Sequence, residues 1–270
     1  MTKLATSTIT THVQRLHAER SPDDTGEPPV VVFVHGLLTD SLASYYFTLG
    51  PAFAQAGVDV IMYDLRGHGR SDRPATGYRL EDFVDDLVAL LDALGETRRV
   101  HVVGNSFGGT IASALDAWHP DRVATVTMIE AEPPVERWTG HMKGGLADAK
   151  EQLGRDEVIG WISDRYGAHT ARLSRGAGRI LQRTTLAEDV ASGSVIDDDL
   201  GALTAPLLAI FGDGSGLNRQ VPWLEALVER CRTVVLPDQG HSVLVERTEE
   251  TRKLVLDWVR EHHALTGAVR

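Results

Sequence analysis

Short runs of consecutive apolar residues alternate along the chain with stretches in which apolar residues recur every three or four positions. The first strong run, Val30 to Val34, is closed by His35-Gly36, and a second, Val58 to Tyr63, ends at Asp64. Others follow at Val100 to Val103, Val123 to Ile129, Pro206 to Phe211 and Thr233 to Leu236. Such continuous runs, mostly rich in β-branched residues, predict strands buried on both faces of a sheet, since they leave no polar side for water. From Glu81 to Leu94, Phe83, Val84, Leu87, Leu90, Leu91 and Leu94 fall at helical spacing, with Gly95 as a stop. Glu81, Asp82, Asp85 and Asp86 place negative charge at the positive end of that helix. Thr110 to Trp118 and Thr248 to His263 read as two more helices, the second with Leu254, Val255, Trp258 and Val259 on its apolar face. Strands alternating with helices predict an α/β fold with a mainly parallel central sheet flanked by helices.

The alternation stops between residues 133 and 204. Helical patches occur at Ala147 to Ile162 and Leu173 to Ala187, with several glycines and no clear strand. The expectation is a helical cap, residues 133–204, inserted between strands 6 and 7 of a core made from residues 1–132 and 205–270. Before the first strong run, Ile9 to Leu16 fits an antiparallel edge strand, and Ser21 to Pro29 is a turn-rich connection.

Composition narrows the function classes. The 270 residues carry 27 Lys plus Arg against 38 Asp plus Glu, a formal charge of −11, which argues against nucleic acid as a partner. The one cysteine, Cys231, excludes an intramolecular disulfide and a multi-cysteine zinc site. No apolar run is long enough to span a membrane, and the first residues lack an apolar signal core, so a cytoplasmic location is expected. No H-E-x-x-H cluster suggests a metal, and Gly67-His68-Gly69 falls short of a dinucleotide fingerprint, so no cofactor is expected.

The strand ending at Val103 runs into Gly104-Asn105-Ser106-Phe107-Gly108-Gly109 and then into a helical pattern. This is G-x-S-x-G in a strand–turn–helix setting. A turn that tight holds the serine hydroxyl clear of the backbone, and its glycines leave room that side chains would fill. The following helix aims free N–H groups at developing negative charge.

Together with three further segments, this motif makes the chain resemble the α/β-hydrolase superfamily over nearly its whole length. Val34-His35-Gly36-Leu37 is similar to the family's strand-to-H-G segment, Asp64-Leu65-Arg66-Gly67-His68-Gly69-Arg70-Ser71 to its structural turn, and Gln239-Gly240-His241-Ser242 to the segment bearing the catalytic histidine. The resemblance implies Ser106 as nucleophile, His241 as general base and then acid, and the N–H groups of Leu37 and Phe107 as the oxyanion hole. The acid departs from the commonest pattern, because Ser215 stands where the G-x-x-D aspartate is expected. Glu130, directly after the Val123 to Ile129 run, matches the acid of certain haloalkane dehalogenases, while Asp213 is the alternative and Glu132 and Asp238 are weaker ones. Dehalogenases and epoxide hydrolases carry an aspartate at the elbow that attacks alkyl carbon. A serine there suits carbonyl carbon instead.

Further substrate-binding candidates are His35 and Asn105 beside these motifs and Trp138, Met142 and Trp161 in the cap. Arg165, Arg172, Arg175, Arg179 and Arg183 are either a receiver for an anionic substrate or a solvated helix face. The expected activity is hydrolysis of a small-molecule carboxylic ester through an acyl-enzyme. Thioester or lactone opening, carbon–carbon bond hydrolysis and non-enzymatic ligand binding follow in that order. The small acyl substrate is the partner expected; nothing in the sequence fixes the oligomeric state.

Overall fold

The computed structural model describes residues 2–6, 9–21 and 26–267. Residues 22–25, within the connection expected to be turn-rich, lie outside the described residues. Eight strands form one sheet: β1 (Thr2–Ala5), β2 (Thr10–Leu16), β3 (Val30–Val34), β4 (Asp59–Tyr63), β5 (Val100–Asn105), β6 (Val123–Ile129), β7 (Leu207–Gly212) and β8 (Cys231–Leu236). Their order is β1-β2-β4-β3-β5-β6-β7-β8. The pairings β1 to β2 and β2 to β4 are antiparallel and the other five are parallel. All six strands expected from the apolar runs are present, so the fold is the mainly parallel α/β sheet of the sequence reading.

The differences lie at the edges. The strand expected from Ile9 to Leu16 is antiparallel, but β1 lies outside it and takes the edge. β1 escaped notice because its four residues, Thr-Lys-Leu-Ala, carry one large apolar side chain and are mostly exposed. β5 and β7 each run on to a residue after the apolar run, Asn105 and Gly212, whose backbones pair at the ends of the ladders.

Strand period two divides the core between the sheet's faces. Val30, Val32 and Val34 join one apolar cluster and Val31 and Phe33 the other; in β7, Leu207, Ala209 and Phe211 oppose Leu208 and Ile210. On the first face pack α1 (Leu80–Ala93) and α2 (Phe107–Trp118). The helix expected to open at Thr110 thus begins directly after Ser106. Asp82 caps α1 by accepting the Arg79 N–H at 2.8 Å, and Phe83, Val84, Leu87, Leu90 and Leu91 are fully buried.

Between β6 and β7 the chain forms α3 (Glu136–Gln152) and α4 (Asp156–Arg183) and a short turn of helix at Leu186–Asp189. The expected patch Ala147 to Ile162 is cut at Leu153 to Arg155, where α3 ends and α4 starts. α4 in turn is broken at Gly167, whose φ of 89° and ψ of 161° are not helical. The final helix α5 (Thr248–Gly267) covers the opposite face of the sheet through Val255, Trp258 and Val259.

The connection from β3 runs to β4 on one side, and β5 takes the other side. Strand order therefore reverses between β3 and β5, and a crevice opens at their C-terminal ends, where α/β sheets hold ligands. His35 to Leu37 and Ser106 leave the sheet at that point.

Candidate active site

The elbow after β5 is strained. Ser106 has φ 52° and ψ −124°, outside the regions open to ordinary side chains, and it is tied to the sheet by its N–H, which donates to Ile129 O at 2.8 Å. Only glycine fits around it. A Cβ at Gly104 would lie 2.1 Å from the Gly108 carbonyl carbon, and one at Gly108 would lie 2.0 Å from Val34 O. The elbow can therefore sit against the end of β3. A Cβ at Gly36 would be 3.4 Å from Ser106 Cβ, so the loop after β3 passes directly beside the serine.

That loop is held by groups from three directions. Asp40 Oδ2 accepts Gly36 N–H at 2.8 Å. His35, fully buried, has Nδ1 at 2.7 Å from Gly36 O and takes the Leu65 N–H on Nε2 at 3.0 Å. His68 has Nδ1 at 2.8 Å from Arg66 O and takes the N–H of Leu38, a residue at φ 68°, on Nε2 at 2.8 Å. Each ring thus donates from Nδ1 and accepts at Nε2, which defines the neutral tautomer. Burial, with the neighbouring His35 ring adding to it, pushes the His68 pKa down to about 3. Both ring nitrogens of His35, a substrate-binding candidate from the sequence, are engaged with backbone groups.

The turn after β4 supplies those supports. Asp64 accepts the N–H groups of Leu42 at 2.9 Å and Arg70 at 2.9 Å and pairs with His12 at 2.7 Å; these bonds outweigh its burial and hold the carboxyl below its usual range. Arg66 makes a two-pronged pair with Asp86 of α1, both contacts at 2.7 Å, with both side chains buried. Among the described residues, the N–H groups of Leu37 and Phe107 donate to no other protein group. Phe107 is the first residue of α2, so its N–H points out of the helix's positive end.

Glu130 follows Ile129, whose carbonyl binds Ser106, and so stands beside the elbow at the end of the adjacent strand. Its φ is 50°, and its side chain is wholly buried. Oε1 accepts the Gly212 N–H from β7, and Oε2 lies 2.9 Å from His241 Nδ1. Asp213 is exposed and accepts the Gln239 N–H at 3.2 Å, bracing the turn before His241. Of the two candidate acids, Glu130 is therefore the one hydrogen-bonded to the histidine. Glu132 pairs with His141 at 3.1 Å, and Asp238 is an exposed turn residue at φ 53°.

Asn105 is half-buried, and its Oδ1 is enclosed without a hydrogen-bond partner. Trp138 is buried and stacks over Phe107, with rings nearly parallel and centroids 6.2 Å apart. Met142 is half-buried one helical turn further along α3. Trp161 is 59% exposed and meets Tyr166 edge-on at 5.6 Å, on the outer side of the break in α4. The supporting Asp40 was not foreseen. Its only signal in the sequence is its position four residues after Gly36, in a loop too short for its neighbours to do the same work.

A model of the α/β-hydrolase fold matches residues 29–157. Over 264 residues the chain is 39% identical to RutD of Variovorax paradoxus (strain S110), a protein named as a carbamate hydrolase, covering 90% of this chain and 96% of that one. It is 40% identical over 83 residues to a non-heme chloroperoxidase of Streptomyces lividans, where the match spans 31% of this chain and 30% of that one. Among solved structures, the enol-lactonase of Burkholderia xenovorans LB400 superposes with a TM-score of 0.72 at 22% identity, over 96% of this chain and 100% of that one. The chain belongs to the α/β-hydrolase family, and its mainly parallel sheet flanked by helices is that family's fold. Among the described residues no helix is long and apolar enough to cross a membrane.

Proposed function

We propose that the protein is a serine hydrolase that cleaves a carboxylic ester of a small molecule through an acyl-enzyme intermediate. The observation that carries this reading is the Glu130–His241 hydrogen bond at the end of the strand next to the Ser106 elbow. Ser106 N–H binds Ile129 O, the next residue is Glu130, and Glu130 holds His241 by its Nδ1. A histidine held at Nδ1 by a carboxylate keeps Nε2 as the proton acceptor, as a base for a serine hydroxyl requires. Ser106 Oγ would attack the ester carbonyl while His241 takes its proton, and His241 would return that proton to the departing alkoxide. Water activated by the same histidine would then release the acid. The unengaged N–H groups of Leu37 and Phe107 would receive the oxyanion, the largest single source of rate in such sites.

The likeness to RutD supports a second reading, a carbamate, in which the same attack falls on a carbonyl carbon bearing nitrogen. Residues 133–204 are read as the cap over the pocket, with Trp138 stacked over Phe107. The test is the intact mass after treatment with a fluorophosphonate. One adduct on the native chain and none on Ser106→Ala is the expected result. A folded native chain that takes no adduct would overturn the reading.

A further inference from the structure

One cavity, on the far side of the loop that passes the serine, is lined by arginine. A space of about 720 Å³ lies between the loop after β3, the turn after β4 and the second half of α4. Arg73 enters from the turn, and Arg172, Arg179 and Arg183 come from α4. On α4 these three fall at intervals of seven and four residues, so they share one face of the helix. Gly67 sets how closely the two walls approach: its φ is 78°, and a Cβ there would lie 2.4 Å from Ile180 of α4.

In a chain of net charge −11, four guanidinium groups on one cavity run against the overall balance. Among the described residues none of the four forms an ion pair with a carboxylate. Arg73 donates to the carbonyls of Gly67 at 3.0 Å and Gly69 at 2.7 Å, which fixes its head at the wall. Arg172 reaches His169 at 3.1 Å. The one carboxylate on the lining, Asp40, is taken up by Gly36 N–H, Ser41 N–H and the Ser44 hydroxyl. A solvated helix face would intersperse acids among these arginines, as the ion pairs of α5 do with Arg252–Glu249 and Lys253–Asp257.

The geometry points to an anion subsite: this cavity receives a carboxylate or phosphate group of the substrate, held by Arg179 and Arg183 and bordered by Arg73 and Arg172. Guanidinium groups suit planar oxyanions because they donate two parallel N–H bonds. Gly36 separates the cavity from the serine: its Cβ position lies 3.2 Å from Asp40 Oδ2, on the lining, and 3.4 Å from Ser106 Cβ, which is off it. The inference rests on the serine-hydrolase reading for the identity of the bond cleaved, and names the substrate as an ester with a free anionic end.

Turnover of mono-para-nitrophenyl glutarate is compared with that of para-nitrophenyl valerate, its uncharged counterpart. The native chain is expected to favour the glutarate ester in kcat/KM by about tenfold or more, with the preference shrinking in high salt. The double substitution Arg179→Gln/Arg183→Gln should lower that ratio about tenfold. Arg165→Gln, on the same helix but before the break at Gly167 and off the cavity lining, should leave the ratio in place. Equal turnover of the two esters, or a ratio that survives the double substitution, overturns the subsite. If neither ester is turned over and no fluorophosphonate adduct forms, the hydrolase reading alone has failed. Calorimetric titration with glutarate, and separately with inorganic phosphate, then decides the anion site and tells the two headgroups apart. Binding to the native chain that the double substitution abolishes upholds it; no binding of either anion ends it.

Discussion

His241 Nδ1 lies 2.9 Å from Glu130 Oε2, and the two side chains differ sharply in setting: the carboxylate is wholly buried while the imidazole is 56% exposed. A buried carboxylate is stable only with partners, and Glu130 has Gly212 N–H on one oxygen and His241 on the other. Glu130→Gln keeps an oxygen for Gly212 but presents an N–H₂ group to His241, which forces the imidazole toward the tautomer that cannot take the serine proton. The expected result is a fall in kcat of about a thousandfold to ten-thousandfold at neutral pH with the far-UV spectrum unchanged. Asp213→Asn, which disturbs only the turn at Gln239, should stay within about threefold of native. Ester kinetics on the two variants decide the matter, and the opposite ranking would remove Glu130 from the triad.

The glycines of the chain should separate into two classes under alanine substitution. At Gly108 the added carbon would lie 2.0 Å from Val34 O, which is backbone and has nowhere to go. Gly108→Ala should cost about 3 kcal/mol or more, or fail to yield soluble protein. Gly144 sits inside α3 with nothing within 4 Å of a Cβ. Gly144→Ala should raise stability by about 0.5–1 kcal/mol, since it stiffens only the unfolded chain. Urea denaturation of both variants provides the comparison.

Legibility in the sequence followed physical cause. The strands β3 to β7 were readable because burial on both faces leaves an unbroken apolar run, as in Val30 to Val34, all five of them buried; β8, at the other edge and only partly buried, was readable through its Val-Val-Leu run. β1 was not, because an edge strand can be held by its ladder to β2 while its side chains face water. Ser106 was legible because the elbow needs glycine at fixed offsets. Glu130 was distinguishable from Asp213 by its place directly after an apolar strand, where the resemblance to certain haloalkane dehalogenases puts the acid, while the bond to His241 needs the fold to bring residues 111 positions apart together. The helices between β6 and β7 were placed loosely. The amphipathic pattern of α3 is weak, and the stop at Leu153 to Arg155 and the break at Gly167 interrupt the apolar stripe along α4.

Arg66 and Asp86 form a buried two-pronged pair that ties the turn after β4 to α1. Burial would lower the Arg66 pKa, but the bonds and charge of Asp86 raise it above the ordinary value, so the guanidinium stays charged inside the protein. Asp86→Ala removes the two short contacts of that charge, leaving the longer one to Asp82 at 3.7 Å, and should destabilise by about 3 kcal/mol. The double variant Asp86→Ala/Arg66→Met should recover part of that loss, because the buried charge that lost its main partner is removed as well. Equal stability of the single and double variants in thermal unfolding would contradict this account.

His101 gives the fold a dependence on pH that is separable from catalysis. It lies in β5, buried against Thr125 Oγ1 at 2.9 Å, and burial, with His263 and His262 nearby, pushes its pKa down to about 3. In the unfolded chain the imidazole titrates near the ordinary value of about 6.5. The unfolded state therefore binds the extra proton between those values. The stabilisation is complete above about pH 6.5 and is lost as pH falls toward 3. Between pH 7 and pH 5 this one residue should cost about 2 kcal/mol of unfolding free energy. His68, also pushed down to about 3, adds to the same trend. His101→Gln keeps a polar partner for Thr125 but cannot titrate. Its loss of stability between pH 7 and pH 5, measured by urea unfolding, should be smaller than that of the native chain by about that amount. An identical pH dependence in the two proteins would mean that His101 is protonated in the fold.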